Sequence, residues 1–151
     1  ELFAQVERLA QALSKRFKAR ERIVVWAPNI PEWVIMEFAA GLAGLVLVTA
    51  NPSFQSSELR YVLEQSGAVG LFMVNEFRGN PMQEIAREST AGNTLLREVV
   101  DLEKREDLYA TGDNFPDLPV CFGGIQSAIQ AYAKILFVAV LIQLYTTFIY
   151  H

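Results

Sequence analysis

The sequence predicts a doubly wound α/β fold, in which a mainly parallel sheet carries helices on both faces. Short apolar runs typical of buried strands alternate with amphipathic stripes typical of helices, and glycines or prolines stand between them. Strands that alternate in this way with helices of about ten residues pair in parallel through right-handed crossovers. At 151 residues, with 52% hydrophobic and 20% charged residues, the composition is that of a globular domain.

The chain begins with the pattern of an amphipathic helix followed by a strand. Apolar residues recur at three- and four-residue steps from Leu2 to Phe17, which is the spacing of one helix face. The run IVVWA at 23–27 is short, rich in β-branched residues and fully apolar, as in a strand covered on both faces.

A second helix is predicted to start at Asn29, which can cap it. Pro31 suits the first turn, and the carboxylate of Glu32 could reach back to the cap N–H group. This helix should run to about Ala43 and end at Gly44.

Two further helices and three further strands follow. A helix over 56–65 should stop at Gly67, and a short helix capped by Asn80 should run to about Glu88. The predicted strands are LVLVT at 45–49, which reads as buried, VGLFMV at 69–74, and the weaker LLREVVDL at 95–102.

No phosphate-binding loop is visible in the sequence. Gly41 and Gly44 lie at the end of a predicted helix rather than between a strand and a helix, which favours packing and capping roles. Gly123 and Gly124 follow no clear strand. A basic cluster could bind phosphate but is better explained by cations at the C-terminal end of the first helix; its members are Lys15, Arg16, Lys18, Arg20 and Arg22.

Other residues that could carry chemistry have structural explanations. Glu32 and Glu37 are five residues apart and would point about 140° apart on a helix, so they make a poor acid–base pair. Trp26 and Trp33 suit helix–sheet packing better than a pocket wall. Cys121 and His151 are the only residues of their kinds, so neither a disulfide nor a zinc site can be assembled.

The composition changes abruptly near Val120, which predicts a first domain over 1–120 and a tail over 121–151. All 17 acidic residues precede Leu118, and Lys134 is the one formal charge after it. The tail could be foreign sequence, translated out of frame or by read-through. It could also be a membrane anchor, with 135–150 as its apolar stretch, or a buried element. Membrane contact through 134–151 therefore stays open.

A set of short motifs then points to a family: WAPN at 26–29, PEW at 31–33, AG at 43–44, NP at 51–52, ELRYVL at 58–63, SGA at 66–68, FRG at 77–79 and LREVV at 96–100. Together they resemble the adenylate-forming (AMP-binding) superfamily, most of all its fatty-acyl–CoA synthetase branch, over about residues 3–118. The resemblance implies the Rossmann-like first part of the large N-terminal domain of such an enzyme.

The resemblance also implies a reaction for the full-length enzyme. A fatty or related carboxylic acid would react with ATP, releasing pyrophosphate, and the acyl group would pass from AMP to coenzyme A, with Mg²⁺ as the metal. The family's Pro-Lys-Gly loop is expected shortly after Pro119, where the chain reads CFGGIQ at 121–126. No position matches a catalytic motif, so we assign no catalytic, cofactor-binding or metal-binding residue and expect this segment to be inactive alone.

Two other functions remain open at this stage. One is a non-catalytic, membrane-tethered α/β interaction module, supported by the tail; the other is a small nucleotide-binding module. The net charge of −4 argues against nucleic acid as a partner. A single cysteine, and no secretory leader before Leu2, favour an intracellular location, with or without membrane association.

Overall fold

Four parallel strands and four helices make up the part of the chain that the computed structural model describes, residues 2–104 and 108–109. In chain order the elements are α1 (Leu2–Arg16), β1 (Arg22–Trp26), α2 (Pro31–Leu42), β2 (Val46–Ala50), α3 (Ser56–Ser66), β3 (Gly70–Met73), α4 (Met82–Thr90) and β4 (Glu98–Asp101). The α/β prediction is confirmed, and all eight predicted elements over this part are present, although β4 is shorter than the predicted 95–102.

The strands form one sheet in the order β2-β1-β3-β4, with every pair parallel. The chain moves from β1 to β2 in one direction and then from β2 past β1 to β3 in the other. Right-handed crossovers therefore place α2, with α1 packed on it, on one face, and α3 and α4 on the other. The winding direction reverses between β1 and β3, and this reversal defines the switch point of the fold.

The core forms where the apolar stripes predicted from the sequence meet the sheet. Leu9 and Leu13 of α1 are fully buried, and Phe17 packs its ring edge-to-face on Phe72 at a centroid distance of 6.0 Å. Residues 23–26 of β1 are fully buried because strands flank β1 on both sides and helices cover both faces.

The two predicted asparagine caps are wrong. The N-cap of α2 is Ile30, which is extended as expected of a residue before proline, and that of α4 is Pro81; neither makes a side-chain capping bond. The backbone of Asn80 instead closes a tight turn with Phe77, through N–H···O bonds of 2.8 and 3.2 Å. In both places the asparagine stands one residue too early to cap.

The ends of α3 follow the sequence signals closely. The helix begins at Ser56, where the backbone N–H of Gln55 donates to the Glu58 carboxylate at 2.9 Å and completes a capping box. It ends at Gly67, whose φ of 62° is the left-handed conformation that glycine adopts without steric cost.

The prediction that β2 is buried is wrong. Within the described residues β2 pairs only with β1, so it is an edge strand; Val46 is 45% exposed and Thr49 is exposed. An unbroken apolar run is typical of a strand buried on both faces, but it does not reveal whether that strand has a neighbour on each side.

Candidate functional site

A ligand-binding site is expected at the carboxyl ends of β1, β3 and β4. In open parallel sheets, ligands bind outside the carboxyl ends of the strands, near the switch point. Here the switch point lies between β1 and β3, so the relevant segments are those that follow Trp26, Met73 and Asp101.

A network of amide and carboxylate side chains connects the ends of β3 and β4. The Asn75 amide donates to Asp101 Oδ2 at 2.5 Å and to Glu103 Oε2 at 3.4 Å. Gln83, at the start of α4, donates to Asn75 Oδ1. The backbone N–H of Glu103 donates to Asp101 Oδ1 at 2.9 Å. Since these groups satisfy one another, the network fixes the two strand ends against α4.

A second polar cluster fixes the loop after β2. The indole N–H of Trp26 donates to Asn51 O at 2.8 Å, and the backbone N–H of Ser53 donates to Asn51 Oδ1 at 2.9 Å. Asn80 donates to Pro52 O at 3.3 Å, which links this loop to the turn after β3. The loops at the carboxyl edge are therefore held by main-chain carbonyls and amide side chains.

A groove of about 530 Å³ borders this network and is lined in part by residues of β3, α4 and β4. Residues from both layers of helices line it: Arg16, from α1, on one side, and α4 on the other, with Val99, Val100 and Asp101 of β4 between them. Lys104 and the α4 residue Arg87 add positive charge to its walls.

The described residues at this edge offer groups for binding and positioning. Within residues 2–104 and 108–109, no three His, Cys, Asp or Glu side chains lie close enough to hold a metal ion. The carboxylates of Asp101 and Glu103 already accept hydrogen bonds from Asn75, and Asp101 also accepts from a main-chain N–H group. The turn from β1 to α2, at 27–30, contains no glycine to bring backbone N–H groups around phosphates. The described residues therefore do not fit an ATP or Mg²⁺ site, and we derive no catalytic step through those groups.

The basic cluster lies at the other, amino-terminal edge of the sheet. Lys15 and Arg16 occupy the last turn of α1, as predicted. The other three members do not, because they follow the helix: Lys18 and Arg20 lie in the loop before β1, and Arg22 begins β1. A phosphate site at a strand's carboxyl end cannot be built from this cluster.

Two ion pairs join the residues around the start of β4 to the end of α1 and to the loop before β1, and neither was predicted from the sequence. Arg16 donates from Nε to Glu98 Oε2 at 2.7 Å. Arg97 holds Glu21 through two bonds, at 2.9 and 2.5 Å, and its guanidinium lies 5.6 Å from the centre of the Phe17 ring. The Arg97 guanidinium lowers the pKa of Glu21 to about 2, while Glu21 raises the pKa of Arg97.

We expect this second pair to make stability depend on pH in acid. The pKa of Glu21 is about 2 in the folded protein and 4.5 ordinarily, so the contribution is complete above about pH 4.5 and disappears as the pH falls towards 2. The difference in unfolding free energy between wild type and Glu21→Gln should shrink across that window when measured by denaturant titration. In an Arg97→Gln background the same difference should be small at every pH; an unchanged pH dependence there would contradict the assignment.

The tryptophans and the helix carboxylates considered as candidates from the sequence mainly have structural roles. Trp26 is fully buried and Trp33 packs partly buried against the core, which confirms the packing interpretation. Glu32 lies in the first turn of α2, but the capping box predicted for it is wrong because Ile30 is the cap. Glu37 is half-buried on the same helix, and burial raises its pKa.

The two glycines near the end of α2 differ from each other. Gly44 has φ +71° and follows the C-cap, so its predicted role at the helix end is confirmed. Gly41 is exposed, a Cβ added there would meet no described atom within 4 Å, and its carbonyl accepts from the Gly44 N–H at 3.2 Å, so the described residues show it at the helix end without a packing contact.

Predictions about the tail lie outside the described residues. These include the segment 121–151, its apolar stretch 135–150, the pair Gly123 and Gly124, and the roles of Cys121 and His151. Among the helices that are described, none is long and apolar enough to cross a membrane.

Comparison with known proteins gives the family. The family described as AMP-binding enzyme matches residues 1–128, which is most of the chain. The chain belongs to this family. The match passes the proposed boundary at 120, which remains a prediction.

Relatives of this AMP-binding chain include acyl-CoA ligases. The mitochondrial medium-chain acyl-CoA ligase of Mus musculus is 30% identical over 119 residues, which cover 78% of this chain and 18% of that protein. Triostin synthetase I of Streptomyces triostinicus is 39% identical over 89 residues, covering 58% of the chain and 17% of the relative. The chain thus spans less than a fifth of the length of either relative.

Solved structures of adenylate-forming enzymes share the fold. A fatty acyl-CoA synthetase of Mycobacterium tuberculosis superimposes with a TM-score of 0.64 at 17% identity, over 76% of this chain and 23% of that one. The o-succinylbenzoate coenzyme A synthetase of Bacillus subtilis, in complex with AMP, gives 0.60 at 21% identity, over 80% and 28%. The described part of this AMP-binding chain therefore has the α/β fold of those enzymes' N-terminal regions.

The network at the carboxyl edge was missed in the sequence, although a signal for it existed. Asn75 directly follows the predicted strand 69–74, and Asp101 lies near the end of the predicted strand 95–102. Polar residues at the carboxyl ends of neighbouring parallel strands meet at one edge of the sheet. The partner from α4, Gln83, could not be inferred in this way, because its position depends on where that helix begins.

Proposed function

We propose that this chain forms the first α/β layer of the large domain of an AMP-forming acyl-CoA synthetase. The reaction of the whole enzyme would join a fatty or related carboxylic acid to coenzyme A, with ATP and Mg²⁺ consumed or bound during adenylation. The match of the AMP-binding family to residues 1–128, with acyl-CoA ligases among the relatives, carries this proposal. The mitochondrial relatives support an intracellular location for it.

Within that enzyme, the described residues would act as a scaffold. The polar groups at the carboxyl ends of β3 and β4 bond to one another, which favours a role in holding loops rather than in reacting with substrate. Alone, the chain is then inactive in adenylation. The membrane-tethered module receives no support from the described residues.

The scaffold role can be tested with a chimera. Residues 2–104 replace the aligned segment of the mouse medium-chain acyl-CoA ligase, and acyl-CoA formation is measured with a medium-chain fatty acid, ATP and Mg²⁺. We expect the chimera to keep activity within about tenfold, since only supporting structure is exchanged. A chimera that folds, by circular dichroism and gel filtration, but forms no acyl-adenylate would contradict the proposal.

A second experiment tests whether the isolated chain is inactive. ATP–pyrophosphate exchange by the purified 151-residue protein should equal the enzyme-free blank, while the intact mouse ligase in the same buffer serves as the positive control. Exchange that co-elutes with the chain through gel filtration would overturn the claim that it is inactive alone.

A further inference from the structure

We draw no further inference here: the strongest candidate, the surface patch of exposed cations at the amino-terminal edge of the sheet (Lys18, Arg20 and Arg22), carries nothing because no described residue shows which anionic partner would cover it.

Discussion

Replacing Trp26 with alanine is expected to lower the free energy of unfolding by about 3–5 kcal/mol, the range for large aromatic side chains in cores. Trp26 is fully buried at the end of the central strand β1. Its indole N–H also donates to Asn51 O at 2.8 Å, so the substitution leaves a cavity and also releases the loop after β2. Urea denaturation followed by circular dichroism measures the loss.

Two matched variants separate the contributions at this site. Trp26→Phe keeps most of the ring volume but removes the indole donor, so it should cost less than alanine and affect mainly the 51–55 loop. Trp33→Ala removes the same side chain from a partly buried position and should cost clearly less than Trp26→Ala. Equal losses for the two tryptophans would contradict the central placement of Trp26.

Gly70→Ala is expected to destabilise the fold by about 1–3 kcal/mol, the usual cost of overpacking a core. A Cβ at this position would lie 2.8 Å from Phe17 Cζ and 3.3 Å from Ile23 Cγ2. The Phe17 ring has little room to move, because it is buried, packs edge-to-face on Phe72 and lies under the Arg97 guanidinium. Thermal or urea unfolding measures the change.

Controls for Gly70 come from a second glycine and from a compensating change. Gly41→Ala lies inside α2 with no described atom within 4 Å of the new Cβ, so it should stabilise by up to about 1 kcal/mol through helix propensity. Phe17→Leu should make the Gly70→Ala substitution less costly, because the smaller side chain leaves space for the new methyl group. If the two substitutions prove additive, the clash with Phe17 is not the cause.

The sequence predicted the elements well, because each depends on local signals. The stripe from Leu2 to Phe17 and the stop at Gly67 identify α1 and the end of α3 without any tertiary information. The prediction for β2 failed because partners far away in sequence decide whether a strand is buried. Whether the apolar run of β2 is central or at an edge depends on which strands flank it, and its residues do not encode that.

The candidate site was harder to predict for the same reason. The bonds that define it join residues far apart in sequence, such as Asn75 with Asp101, which is 26 residues away. The Arg97–Glu21 pair near the starts of β4 and β1 was missed for the same reason, since 76 residues separate its members. The two predicted asparagine caps were each wrong by one residue. Ile30 is the cap of α2, since proline restricts the residue before it to an extended conformation, and the backbone of Asn80 already bonds in a turn with Phe77. The function could be predicted only from the family motifs, because these combine many positions.

The place of β1 in the centre of the sheet has a consequence for the order in which the chain can fold as it is synthesised. Val24 pairs with Val48 in β2 and with Leu71 in β3. Since β3 is synthesised after β2, the side of β1 that faces β3 stays unpaired for longer than the side that faces β2. A nascent chain that ends near residue 50 can complete the β1–α2–β2 unit but leaves a fully apolar strand edge unpaired until β3 emerges from the ribosome. That interval is when the growing chain is most exposed to mispairing.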